Sequence, residues 1–151
     1  MPNLSEDIES LLNILTKQCV EFAICGGHAV AYHGYPRLTM DVDILLLPSK
    51  ENAQRIMASL EQFGFGNVGI PAEAFTREGS AITLGEQPNQ VDLLTSMSSE
   101  PTDEIMQHAV WGKLSGIRVR FVSRADLMEA KRQAARPKDL ADLDELEKTT
   151  T

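Results

Sequence analysis

The sequence predicts a mixed α+β fold, a small mixed β-sheet flanked by helices. Three observations carry that expectation. Ile8, Leu11, Leu12, Leu15 and Cys19 recur at helical spacing. Asp41-Val42-Asp43-Ile44-Leu45-Leu46-Leu47 is a short apolar run stopped by Pro48, as a buried strand would be. From Gly116 to Val122, Ile117, Val119 and Phe121 alternate with Arg118 and Arg120, the period of a half-buried strand.

Taken in order, the first element is a helix capped by Ser5, with Glu6 and Asp7 at its positive end. A short strand, Phe22 to Cys25, ends at Gly26-Gly27. His28 to His33 reads as a helix closed by Gly34-Tyr35-Pro36. Asp41 to Leu47 is the second strand. Residues 50–63 form an amphipathic helix with Ala53, Ile56, Met57, Leu60 and Phe63 on one side. Residues 64–90 are rich in Gly and Pro and carry weak strands near Ala74–Arg77 and Ala81–Leu84. Gln90 to Leu94 is a strand and Ile105 to Val110 a helix. After the strand at 116–122, Ser123 caps a helix to about Ala135. Pro137 opens a last helix, with Leu140, Leu143 and Leu146 facing inward. No linker or repeat interrupts the pattern. One domain over 1–151 is expected, with a core at about 5–122 and C-terminal helices at about 123–148.

Lys and Arg number 14 against 22 Asp and Glu, a net charge of −8. That balance argues against a protein that coats nucleic acid through overall basic charge. It leaves room for a local basic groove. Lys113, Arg118, Arg120, Arg124, Lys131, Arg132, Arg136 and Lys138 crowd one stretch that holds only Asp126 and Glu129 as acids. They form either solvated faces or a wall facing a polyanion. Cys19 and Cys25 make no metal-type spacing and read as core thiols of a reducing compartment. The sequence shows no signal peptide and no apolar run of membrane-spanning length, so a cytoplasmic protein is expected.

The chemistry concentrates in the acidic strand. Every second side chain of a strand faces the same way, so Asp41 and Asp43 share a face, about 6.5 Å apart along the backbone. Asp92 lies on a second apolar strand, Gln90-Val91-Asp92-Leu93-Leu94. Were the two strands neighbours, three carboxylates could hold two Mg²⁺ ions about 4 Å apart, the arrangement of in-line phosphoryl and nucleotidyl displacement. Carboxylates suit Mg²⁺ because it takes hard oxygen ligands. Gly26 and Gly27 end a strand and open a helix, so their bare amides could cradle phosphate. Thr39 shares the carboxylates' face if the strand starts early. Arg37 either grips phosphate or neutralises the acidic cluster. His28 either touches phosphate or is held by local bonds. Tyr32, His33 and Tyr35 either stack on a base or pack, and Trp111 reads as a partly buried packing residue.

Together, Gly26-Gly27, Arg37-x-Thr39-x-Asp41-x-Asp43 and a later strand aspartate, Asp92, resemble the nucleotidyltransferase superfamily that includes DNA polymerase beta. The likeness is closest to small bacterial nucleotidyltransferase-like proteins related to toxin–antitoxin and abortive-infection toxins. Leu127-Met128-Glu129-Ala130-Lys131 and Arg136-Pro137-Lys138-Asp139 match motifs that such proteins often carry. The resemblance implies a minimal polymerase beta-like fold with C-terminal helices and transfer of a nucleoside monophosphate from an NTP to a hydroxyl. It also implies that Asp41, Asp43 and Asp92 bind metal, that Gly26 and Gly27 contact triphosphate, and that Lys131 reaches a phosphate. On its face Lys131 is equally an exposed helical lysine. Gly27 stands where the superfamily often has serine, which removes a hydroxyl contact. The acceptor could be RNA, notably a tRNA end, a protein or a small molecule. Either the C-terminal helices or a partner subunit, in a homodimer or a complex, would complete the cleft. A catalytically silent nucleotide-binding or antitoxin-like module is the competing expectation.

Overall fold

Burial of alternating apolar side chains drives six strands into one mixed sheet in the computed structural model, which describes residues 5–64 and 69–149. The strands are β1 (Phe22–Cys25), β2 (Asp41–Leu46), β3 (Ala81–Leu84), β4 (Gln90–Leu94), β5 (Val110–Leu114) and β6 (Ile117–Phe121), in the spatial order β3-β4-β2-β1-β6-β5. β2 runs antiparallel to β1 and parallel to β4. β6 lies parallel to β1, and β5 returns beside it as an edge. Among the described residues six α-helices accompany the sheet: α1 (Glu6–Lys17), α2 (Gly26–Tyr32), α3 (Lys50–Phe63), α4 (Thr102–His108), α5 (Arg124–Ala134) and α6 (Pro137–Lys148).

The predicted starts of α1, α3 and α5 hold, whereas α2 begins at Gly26, two residues before the expected His28. Ser5, Ser49 and Ser123 each accept the backbone N–H three residues on, giving α1, α3 and α5 the donor-satisfying cap that a helix N-terminus needs. α1 buries Ile8, Leu11, Leu12 and Leu15, each of which contributes about 1.5–3 kcal/mol by leaving water. Asn52, buried on α3, binds Glu21 and Leu47 through its side chain and so ties the ends of β1 and β2 together.

Several expectations need correction. The weak strand near Ala74–Arg77 is a 3₁₀ turn, Ala72–Phe75, anchored by fully buried Phe75. Its backbone bonds close locally, Ala74 to Pro71 and Thr76 to Glu73, so none is left for a sheet. The helix expected at Ile105–Val110 lies at Thr102–His108, and the chain then turns into β5. β5 and β6 form a two-residue hairpin through Ser115 and Gly116, both at positive φ, the geometry that suits strand twist. Gly112 hides this strand from sequence reasoning. A Cβ there would lie 2.4 Å from the Tyr32 ring, so close packing, not flexibility, demands glycine. Cys19 is exposed in the turn after α1, unlike buried Cys25. Trp111 is 56% exposed on the edge strand rather than packed. Leu140 faces out; Asp139, Asp142 and Leu146 take the buried face of α6 instead.

Candidate active site

Register brings the three aspartates together. Asp43 stands opposite Asp92 across the parallel β2–β4 pair, and Asp41 stands opposite Gln90. Neighbouring strands lie about 4.8 Å apart and opposed residues share a face, so all three carboxylates belong to one patch. They line a cavity of about 380 Å³ together with Cys25, Gly26, Lys131, Arg136, Lys138 and Asp139. α5 and α6 therefore close the cavity from the same chain that supplies the sheet.

Hydrogen bonds order the acidic patch. The Gln87 amide donates to Asp41 (2.9 Å) and Thr83 Oγ1 donates to Asp92 (2.8 Å). Gln90 Nε2 bridges the pair, 3.4 Å from Asp41 Oδ2 and 3.1 Å from Asp92 Oδ1. Gln90 escaped sequence reasoning, although it lies two residues before Asp92 and thus on its face. Asp43 is the anomalous acid. Burial, a hydrogen bond to the Asp92 carboxyl and the nearby negative charges push its pKa up to about 7, against a partial pull from Lys131. Burial first, then the charge of Asp43, pushes the Cys25 thiol up as well, so it is an inert wall residue.

The two glycines differ. Gly26 has φ +64°, and a Cβ on it would stand 1.9 Å from Asp43 Oδ2. Only glycine lets the backbone at the start of α2 lie against that carboxylate. Gly27 faces away from the cavity lining. A Cβ there would meet Thr39 Oγ1 at 2.5 Å. Thr39 lies before β2 and donates to the Asp41 backbone oxygen, so it shapes the approach to the strand.

The expected phosphate-binding cations also separate. Arg37 makes a forked pair of bonds to Asp142, 2.9 Å each, and does not line the cavity. Lys131 does line it, yet it is buried rather than exposed, 3.3 Å from Asp139 and 3.0 Å from Asp142. Arg136 clasps Asp139 from the solvent side at 2.6 Å. Burial raises the Asp139 carboxyl, but Arg136 and Lys131 outweigh that and leave it below the ordinary carboxylate value. The sequence places Asp139 only in the family-like Arg136–Asp139 motif and gives Asp142 no role, whereas both turn out to be buried partners of Lys131. Their spacing of three, with Leu146 four further on, was the available signal that one face of α6 is acidic. His28 is buried, and its Nδ1 finds no hydrogen-bond partner among the described residues; burial, then Arg37, disfavours its charged form. Tyr32 packs, stacked 4.0 Å from Phe121.

A second polar group lies outside this cavity. His108 Nδ1 is 2.8 Å from Asp126 and 3.7 Å from Glu100, joining α4 to the start of α5. The hydrogen bond to Asp126, then that carboxylate's charge, raises the His108 pKa.

A mixed sheet with adjacent parallel strands carrying the acids, a glycine turn beside them and C-terminal helices over the cavity is a nucleotidyltransferase-type α+β fold. A solved structure with this fold is the lincosamide antibiotic adenylyltransferase LnuA in its lincomycin-bound crystal form. The match has a TM-score of 0.57 at 13% identity and covers 99% of this chain and 100% of that one. No protein-family profile matches the sequence, and no curated protein does. No helix among the described residues is long and apolar enough to cross a membrane.

Proposed function

We propose that this protein is a Mg²⁺-dependent nucleotidyltransferase, moving a nucleoside monophosphate from an NTP to a hydroxyl acceptor. The observation that carries the reading is Asp43 opposite Asp92 on adjacent strands, beside the bare backbone of Gly26, within one cavity. The donor set suits a hard divalent cation. Three carboxylates share the patch, and burial, then the Asp92 and Asp41 carboxyls, make Asp43 resist ionising, a cost that a divalent cation bound among them would offset. Asp41, Asp43 and Asp92 would hold two Mg²⁺ ions, which supply charge neutralisation on the triphosphate and acidify the acceptor hydroxyl.

The chain's own residues do the positioning. Gly26, lacking a Cβ, lets the start of α2 lie directly against the Asp43 carboxylate in the cavity wall. Lys131, Arg136 and Lys138, on the wall formed by α5 and α6, present positive charge to the triphosphate. Gln87, Gln90 and Thr83 hold the carboxylates in place. No protein nucleophile is required, since positioning and charge neutralisation lower the barrier. Gly27, Arg37 and Thr39 shape this frame from behind. The acceptor is an RNA end, a protein hydroxyl or a small hydroxylated molecule. The lincosamide-modifying neighbour supports the small-molecule class and makes ATP the first nucleotide to test. A toxin–antitoxin role rests on the motif resemblance alone.

One observation favours a silent nucleotide-binding module instead: Arg37 and Lys131 are both engaged by buried carboxylates, leaving fewer cations for phosphate. The test is incubation with each α-labelled NTP, Mg²⁺ and panels of RNA, protein and small hydroxylated acceptors. Label transfer and pyrophosphate release are expected, reduced at least 100-fold in Asp43→Asn and Asp92→Asn. NTP binding without pyrophosphate release from any pair would overturn transfer and favour the module.

A further inference from the structure

The β5–β6 hairpin carries a surface that the catalytic reading does not use. Its register pairs Trp111 with Arg120 and Lys113 with Arg118. Opposed residues and alternate residues of a hairpin share a face, so these four side chains form one block. The Arg118 guanidinium lies 4.6 Å from the centre of the Trp111 ring and that of Arg120 5.6 Å. The indole nevertheless remains 56% exposed. Lys113 directly opposite Arg118 sets two like charges against each other, a pairing that costs stability in a sheet. None of the three cations has a carboxylate partner among the described residues, although the whole chain is acidic, with net charge −8. Beside the indole lies a cavity of about 200 Å³, with Val20, Phe22 and Val119 as apolar lining and Arg118 and Arg120 as its charged part.

We propose that this hairpin face binds single-stranded polynucleotide, with a base against Trp111 and backbone phosphates on Lys113, Arg118 and Arg120. An exposed aromatic ring amid unpaired cations is what stacking and phosphate contact require together. The adjoining cavity has apolar walls for a flat ring and arginines at hand for the charge attached to it. Charge complementarity selects a polyanion. It also disfavours a second copy in a two-fold dimer, because a self-complementary contact would set three cations against the same three. The assignment stands independently of nucleotidyl transfer, since the hairpin lies on the far side of β1 from the aspartates.

The chain holds one tryptophan, so fluorescence excited selectively at the indole, beyond the absorption of its two tyrosines, reports this surface. The experiment titrates the full chain with 12-nucleotide oligo(rA) and oligo(dA) at low salt, beside polyglutamate of matched charge. Both oligonucleotides should quench Trp111, and comparing them separates RNA from DNA preference. Arg118→Gln with Arg120→Gln should weaken binding at least tenfold. It should also lower the log–log salt slope by about 1.4, from two lost phosphate contacts at about 0.7 each. Trp111→Leu, followed by anisotropy of a labelled oligonucleotide, should weaken binding at least fivefold. Three results would overturn the proposal: no quench by either oligonucleotide, equal binding of polyglutamate, or concentration-dependent self-association that the double arginine substitution abolishes. Circular dichroism of each variant checks that it folds. Label transfer from NTP, measured separately, keeps failure of this surface distinct from failure of the transferase reading.

Discussion

Replacing Lys131 with methionine tests how the cavity wall is built. Lys131 Nζ lies between two buried carboxylates, 3.3 Å from Asp139 and 3.0 Å from Asp142, and is itself only 8% exposed. Methionine keeps most of the stem's volume and removes the charge. Breaking a buried ion pair by deleting one partner costs about 3–5 kcal/mol, because the other charge is left uncompensated. Here Arg37 still grips Asp142 and Arg136 still grips Asp139, so neither carboxylate is left bare and the expected loss falls below that range, about 2–3 kcal/mol. Urea denaturation at pH 7.5 without metal or nucleotide measures it. In a chain of this size the same loss corresponds to about 4–12 °C in Tm. The double variant Lys131→Met with Asp142→Asn should lose less than the sum of the two single losses, by at least 1 kcal/mol, since the pair acts as a unit. A loss below about 0.5 kcal/mol with full additivity would refute the argument and make Lys131 a free cation poised only for ligand.

Asp43→Asn should raise metal-free stability. A carboxyl that ionises at 3.8 in a free chain and about 7 in the fold destabilises once ionised. The penalty is absent below pH 3.8, grows to about pH 7 and is constant above. Its ceiling is about 4 kcal/mol, and solvent access to the cavity brings the expected gain to about 2 kcal/mol at pH 8. Thermal melts at pH 4 and pH 8 check this, and the same variant should lose the stabilisation that Mg²⁺-NTP gives the parent. Gly26→Ala should cost at least about 2 kcal/mol in urea melts, since φ +64° and the contact with Asp43 both exclude a Cβ. His108→Gln tests the link between α4 and α5. Its raised pKa means that the histidinium's contribution is fully present below the unfolded value of about 6.5 and lost as pH rises through the folded one. The stability gap between parent and variant should therefore be widest below the unfolded value of about 6.5 and narrow as pH rises past it; a gap independent of pH would contradict the ion pair.

The sequence by itself determined the elements whose cause is local. Serine caps, the 3.6-residue apolar repeat of α1 and α3, and the apolar strand β2 are properties of neighbouring residues, so they were legible. The shared face of Asp41 and Asp43 followed from strand geometry alone. What decided the site is non-local. Only the β2–β4 register sets Asp92 against Asp43, and a slip of one residue would have turned Asp92 to the other face. Arg37 lies 105 residues from Asp142, and no pattern in the chain foretells that the helix carrying Asp142 folds back to claim it. The same closure buries Lys131, which periodicity reads equally well as an exposed lysine. β5 was lost because Gly112, required by Tyr32 from another element, breaks an otherwise strand-like run. Local propensity and period fix what a segment becomes, whereas burial, charge pairing and the neighbours of an edge strand depend on which segments meet, and that is settled only when the whole chain closes on its core.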